Sequence, residues 1–207
     1  MIYSSKLLEN AVNAFGALPG IGKKSALRLV LHLLKEDLNE SRHLADAITN
    51  LREHIKFCQK CHHITDEIFC SICANPARNK KQVCVVETIR EVLAFENTQQ
   101  YNGTYHVLGG VISPIDGIGP DSLNIPDLLK RVGEDQVEEI IMALNPTTEG
   151  DTTIFYLSKI LKDSPVKITS IARGVSFGGE LEYVDDLTLA RSLATRLPYE
   201  NYLVQNK

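Results

Sequence analysis

Cys58-Gln59-Lys60-Cys61, eight further residues, and Cys70-Ser71-Ile72-Cys73 are the stretch from which the rest of this chain can be read. Four of the five cysteines fall within these sixteen positions. In a Cys-x-x-Cys knuckle a tight turn brings residues i and i+3 together, so each pair can offer two sulfurs to one ion. Two such knuckles facing each other supply four thiolates in a tetrahedron, the closed geometry of a structural zinc site. The spacer, His62 to Phe69, is long enough for a short hairpin and too short for a domain. Two disulfides, or redox chemistry, are the alternatives. The opening residues, Met1 to Glu9, hold no apolar signal core, so nothing suggests an oxidising compartment. A redox Cys-x-x-Cys usually stands alone rather than doubled. The pattern therefore predicts one structural Zn2+ per chain on Cys58, Cys61, Cys70 and Cys73, with no open position for water or substrate. His62 and His63 are possible substitute ligands, but with four sulfurs available they are expected to face solvent.

On the amino side of the knuckles, Leu7, Leu8, Val12 and Phe15 recur at helical spacing and predict a helix over 4–15. Leu18-Pro19-Gly20-Ile21-Gly22-Lys23-Lys24-Ser25 ends it, and Ala26, Leu29, Val30 and Leu33 start a second helix that runs to about Lys35. This resembles a helix-hairpin-helix motif. Gly20 and Gly22 allow a tight turn and close approach of a ligand. The amides around Gly22 to Lys24 then point outward at the start of a helix, where the macrodipole favours an anion such as a DNA phosphate. Lys23 and Lys24 flank that position and Arg28 lies one turn on. Contacts of this kind hold the backbone and carry no sequence information. The competing reading is a plain helix connection with exposed lysines. Leu44, Ile48, Leu51 and Ile55 predict a third helix over 39–56.

On the carboxy side, Arg78-Asn79-Lys80-Lys81 reads as a solvated basic linker, and beyond Gln82 the pattern changes. Strands at 83–87, 105–108, 139–144 and 166–171 alternate with helices at 88–95, 125–132 and 149–161, which predicts a mostly parallel sheet with helices on both faces. Cys84 reads as a buried core thiol. Ligand sites in such sheets lie at the carboxyl ends of the strands. Glu87 falls there, as does Asn145-Pro146-Thr147-Thr148-Glu149-Gly150-Asp151. These residues resemble the Toprim domain of topoisomerases and bacterial primases, which carries a glutamate after its first strand and an Asp-x-Asp pair after a later one. Glu87 fits the glutamate; Asn145 and Thr147 stand where the aspartates would be. Magnesium wants anionic oxygens, and Asn and Thr offer neutral ones. The resemblance thus implies a Toprim-like fold whose phosphoryl chemistry is lost or much reduced, with Glu87, Glu149 and Asp151 left as structural, partner-binding or weak metal-binding groups. Glu149 and Asp151 also suit the first turn of a helix for electrostatic reasons alone. After Gly178-Gly179, Glu180 to Val184 is expected to add a strand that could pair across an oligomer interface, and Asp185 or Asp186 to cap a last helix through Leu197. No Gly-x-x-x-x-Gly-Lys-Ser/Thr loop occurs, so nucleotide hydrolysis is not expected.

Charge divides along the chain. Residues 1–81 hold 12 Lys and Arg against 8 Asp and Glu, and residues 82–207 hold 10 against 18. A basic front and an acidic back place any nucleic acid at the first eighty residues, unless the asymmetry is chance variation. No apolar run approaches a membrane span, and a cytoplasmic protein is expected. The expected domains are a helical helix-hairpin-helix domain at 1–56, a C4 zinc finger at 57–77, a Toprim-like core at 80–175 and an oligomerisation segment at 176–207.

In this order the motifs resemble the RecR family of bacterial recombination mediators over essentially the full length. The resemblance implies a non-enzymatic, ring-shaped tetramer that clamps single- or double-stranded DNA without sequence preference and works with RecO and RecF to load RecA. It also implies that Lys24 and Arg28 touch DNA, while Lys23 stands where relatives often have proline. Two further classes remain open on the sequence: an active metal-dependent Toprim nuclease or primase-like enzyme, and a zinc-dependent interaction module that does not touch DNA.

Overall fold

Ser5 accepts a hydrogen bond from the Leu8 amide and so starts the first helix, α1, at Lys6–Gly16. The computed structural model describes residues 3–200, so the first two residues of the expected 1–56 domain and the last seven of the 176–207 segment lie outside the described residues. The chain divides into two units between Lys56 and Phe57.

In the first unit, α1 packs on α2 (Lys23–Leu33) through Val12, Ala26 and Val30, with Leu8, Phe15 and Ile21 around them. Between the two helices the Ile21 amide bonds back to Leu18 O at 3.1 Å, a turn that puts Gly20 at φ +79°, where a side chain would be strained. Asp37 caps α3 (Leu38–His54) by accepting from the Asn39 amide. The apolar stripe on α3 is real, but the unit's own core does not use it: Leu44, Ile48 and Leu51 are exposed.

The division falls within β1 (Lys56–Phe57), which makes a small hairpin with β2 (Ile64–Thr65); α4 (Ser71–Ala74) then carries the last two knuckle cysteines, Cys70 at its cap and Cys73 within it. A four-stranded sheet follows: β3 (Asn79–Val86), β4 (Gly103–Val107), β5 (Glu139–Ala143) and β6 (Lys167–Ser170), in the order β4-β3-β5-β6 with every neighbour parallel. Alternation along the strands divides the core. Val83, Val85, Ile140 and Met142 face α6 (Ile125–Glu134) and α7 (Thr148–Ile160), where Leu128, Val132 and Leu157 cover them. Cys84, Val86, Tyr105, Val107 and Ala143 face α5 (Ile89–Thr98), which contributes Val92. The expected α/β core with helices on both faces is present.

Three local expectations change. The supposed linker at 78–81 is not solvated throughout: β3 begins at Asn79, and Arg78 is largely buried against Glu96, with Nη1 also donating to Tyr101 O at 3.0 Å. Glu180 to Val184 is not a strand but a 3-10 turn at Leu181–Tyr183, because its amides are used locally: Tyr183 N bonds Glu180 O and Val184 N bonds Leu181 O. With those amides turned inward on the segment, it pairs with neither edge strand of the sheet, β4 or β6. Asp185 does cap the last helix, α8 (Asp186–Ala194), through the Thr188 amide. The helix stops short of Leu197 because Pro198 pushes the residue before it out of helical backbone.

Candidate metal centre and nucleic-acid interface

The β1–β2 hairpin sets the first knuckle. Cys58 N donates to His63 O at 2.8 Å, and His62 N returns to Cys58 O at 2.9 Å, a turn that holds His62 at φ +60°. The second knuckle is the start of α4, where the Cys73 amide donates to Cys70 Sγ at 3.4 Å. All four thiols are buried, and their sulfurs lie within 4.8 Å of one another. Cys61 and Cys70 Sγ are 3.5 Å apart, far beyond a disulfide of about 2 Å and close to the separation of about 3.8 Å that two sulfurs have on one tetrahedral zinc. Packing four thiols together splits their acidities. Pairing with Cys61, then with Cys73, drives Cys70 well below the ordinary thiol range, while Cys61 is driven well above it by the same pairing with Cys70. A divalent cation removes that conflict by favouring the thiolate at every position. The donor set fits zinc, and with four protein ligands it leaves no place for substrate.

The histidines beside the cysteines are neither ligands nor solvent-facing. The His62 ring packs edge-on against His106 of β4, ring centroids 5.4 Å apart, and its Nε2 sits 2.9 Å from Asp127 Oδ2 of α6 without the alignment of a hydrogen bond. Lys60 donates to Asp135 Oδ1 at 2.7 Å, and the Val107 amide donates to Cys61 O at 2.8 Å. Asp135 also accepts from Arg131 Nε, while the buried Arg131 guanidinium reaches Tyr105 O and Thr104 Oγ1. The knuckles are thereby fastened to the sheet's β4 edge by groups that the sequence reading did not single out. Arg131 has a signal only in hindsight, as an arginine in the last turn of an amphipathic helix, on its apolar side.

At the hairpin of the first unit, α2 begins at Gly22 without any side-chain cap. Its first-turn amides therefore lack the oxygen that Ser5 or Asp37 supplies elsewhere, and they lie beside the exposed Lys23 and Lys24. Gly20 provides the positive φ; at Gly22 a Cβ would meet nothing within 4 Å, so its contribution is open space beside the amides. Lys24 and Arg28 share one face of α2 and line a common groove, which Lys23 does not.

The acidic residues gather at the carboxyl edge of the sheet, where the chain leaves β3 for one face and β5 for the other. Glu87 follows β3, and its Oε2 accepts from Asn145 Nδ2 at 2.8 Å. Thr147 caps α7 by accepting from Gly150 N at 3.0 Å. Gly150 is required by space: a Cβ there would lie 2.0 Å from Asn145 O. Asp151 is paired with Arg173 Nη1 at 2.7 Å. Glu87, Glu149 and Asp151 do not converge as a ligand set; among the described residues the four cysteines are the group that does. Cys84 is buried in the core, and burial pushes its thiol up to about 12.

Comparison with known proteins matches four family models in chain order: the RecR helix-hairpin-helix at residues 8–52, the RecR four-cysteine zinc finger domain at 55–75, the Toprim domain at 81–172 and the RecR C-terminal model at 174–196. The four-cysteine cluster is a zinc finger holding one structural zinc ion. Among curated relatives, Recombination protein RecR of Cytophaga hutchinsonii is 59% identical over 201 residues, 97% of this chain and 98% of that one. Its namesake in Flavobacterium johnsoniae is 55% identical over 206 residues, 100% of each chain to the nearest per cent. That of Porphyromonas gingivalis is 51% identical over 199 residues, 96% of each. With an uncapped basic hairpin, a four-cysteine knuckle and a Toprim sheet in this order, and relatives of this closeness along its whole length, the chain belongs to the RecR family.

Proposed function

We propose that this chain is a recombination and repair mediator of the cytoplasm. It acts without catalysis of its own, as an oligomeric clamp on single- or double-stranded DNA that works with RecO and RecF to load RecA. The observation that carries the reading is the uncapped, lysine-flanked amino end of α2. Its amides and cations suit a phosphate and ignore the base.

One hairpin with three cations neutralises few phosphates, so a single chain binds weakly and with a shallow salt slope. Several hairpins in one ring turn weak contacts into avidity. Two exposed apolar surfaces suit self-association: the α3 stripe of Leu44, Ile48 and Leu51, and the C-terminal segment with Phe177, Leu181, Tyr183 and Leu187. A tetramer is the proposed assembly. Among the described residues no helix is long and apolar enough to cross a membrane. The Asn145–Glu87 hydrogen bond and the Asp151–Arg173 pair use up the polar groups that a Toprim enzyme would direct at magnesium, which favours the non-catalytic reading.

The test is binding of a labelled oligonucleotide to Lys24→Glu and Arg28→Glu variants at several salt concentrations. Affinity should fall by an order of magnitude or more in each. Unchanged affinity in both removes the hairpin from the DNA site.

A further inference from the structure

Beyond the hairpin, α2 carries a groove of about 420 Å³ lined by Lys24, Leu27, Arg28, Leu31, His32 and Lys35. Lys24, Arg28, Leu31 and Lys35 follow one another at steps of four, three and four, so they form a single stripe along the helix. Lys35 lies just past the last helical residues, but its amide still bonds His32 O at 2.9 Å, which keeps it on that stripe. No carboxylate lines the groove. Among the described residues Lys24, Arg28 and Lys35 form no ion pair, and the carboxylate nearest the lining is that of Glu36, 3.5 Å from His32 Nδ1. Unpaired cations in line, with the exposed Leu31 between them, are an arrangement that folding does not need: the unit's core uses Ala26 and Val30, with Leu27 packed against them, and none of the cations.

We propose that this groove is a second stretch of the DNA site, in which one strand's sugar-phosphate backbone runs from the amino end of α2 along the helix to Lys35. The inference rests on the hairpin reading above and extends it to residues which that reading does not use. From Lys24 to Lys35 the stripe is about 16 Å long at 1.5 Å per residue. Consecutive phosphates lie farther apart along the strand itself than their axial rise of about 3.4 Å in a duplex, so the stripe has room for about two or three nucleotides. The chemistry fits backbone rather than bases. Lysine and arginine meet phosphates, and Leu27 and Leu31 offer apolar contact to sugars. Its lining carries a single ring, that of His32, and no row of aromatic platforms on which successive bases could stack.

The experiment is fluorescence anisotropy of a fluorescein-labelled, mixed-sequence single-stranded oligonucleotide with the full chain, titrated between 50 and 300 mM salt, on the order used to resolve counterion release. Lys35→Ala should weaken binding several-fold and lower the salt slope by about one per engaged chain, and Lys35→Arg should restore both. Lys6→Ala, on α1 and paired there with Glu9, should change neither. Circular dichroism should be unaltered throughout, since Lys35 is an exposed side chain outside the core. If Lys24→Glu abolishes binding while Lys35→Glu leaves affinity and slope unchanged, the DNA contact ends at the hairpin and this proposal is overturned, with the hairpin reading intact. If both are silent, the two readings fall together.

Discussion

Asn145 shows how one residue type redirects an old site. Its amide donates to Glu87 where an aspartate could only repel. Asn145→Asp should therefore destabilise the fold by roughly 1 kcal/mol near neutral pH, through the lost hydrogen bond and like charges. Millimolar Mg2+ should recover more of its Tm than that of the parent chain; equal Mg2+ responses would mean that the crevice cannot gather a cation even with the charge restored. His106 makes a pH prediction. It is fully buried, with Nε2 donating to Asn124 O at 2.8 Å, and burial lowers its pKa from 6.5 to about 4. The unfolded chain takes a proton near 6.5 and the folded chain only near 4. This stability is therefore complete above pH 6.5 and is lost as pH falls to 4, by about 3 kcal/mol. Urea unfolding at pH 7.5 and 4.5 should show a smaller acid loss in His106→Gln than in the parent; identical losses would exclude this histidine. Arg131→Met should cost about 3 kcal/mol or more, because Asp135 loses a buried partner and Tyr105 O and Thr104 lose a donor. Most of these partnerships were not legible in the sequence: Asn145, His106 and, apart from Asp135 one helical turn on, Arg131 find their partners 18 to 58 positions away. The Asn145 substitution itself was legible, because the neighbouring motif fixed what to expect there.

The elements were easier to read than their ends and their neighbours. Two Cys-x-x-Cys pairs state their own geometry, and the strands announce themselves as short β-branched runs between helices. The stripe on α3 was equally plain, but a periodic apolar face says only that something covers it, and the unit's own core does not. Glu180 to Val184 failed as a strand for a related reason: alternation gives a face, while it does not reveal that the segment's amides close a local turn. The zinc finger yields an element-scale prediction. Cys70→Ser should lose stoichiometric zinc, and because Cys61 O holds the Val107 amide and Lys60 holds Asp135, the damage should reach β4. Hydrogen exchange at Val107 should accelerate together with the β1–β2 hairpin. Exchange confined to the hairpin would show that the knuckles fold without bracing the sheet.

At the scale of the molecule, a chain of net charge −4 is proposed to hold a polyanion. That is physically reasonable only if the cations are collected on the first unit and multiplied by assembly, since one hairpin and its groove neutralise few phosphates. Charge-introducing Leu44→Glu or Ile48→Glu on the α3 stripe should then weaken DNA binding without touching a DNA contact, by lowering the order of assembly. The most direct test is the mass of the zinc-loaded protein in solution, measured by light scattering with and without an oligonucleotide at the concentration where binding is half complete. The account predicts an assembly of four times the 23.0 kDa chain, alone or once DNA is bound. A 23.0 kDa monomer that binds the oligonucleotide with full affinity and a steep salt slope would contradict it.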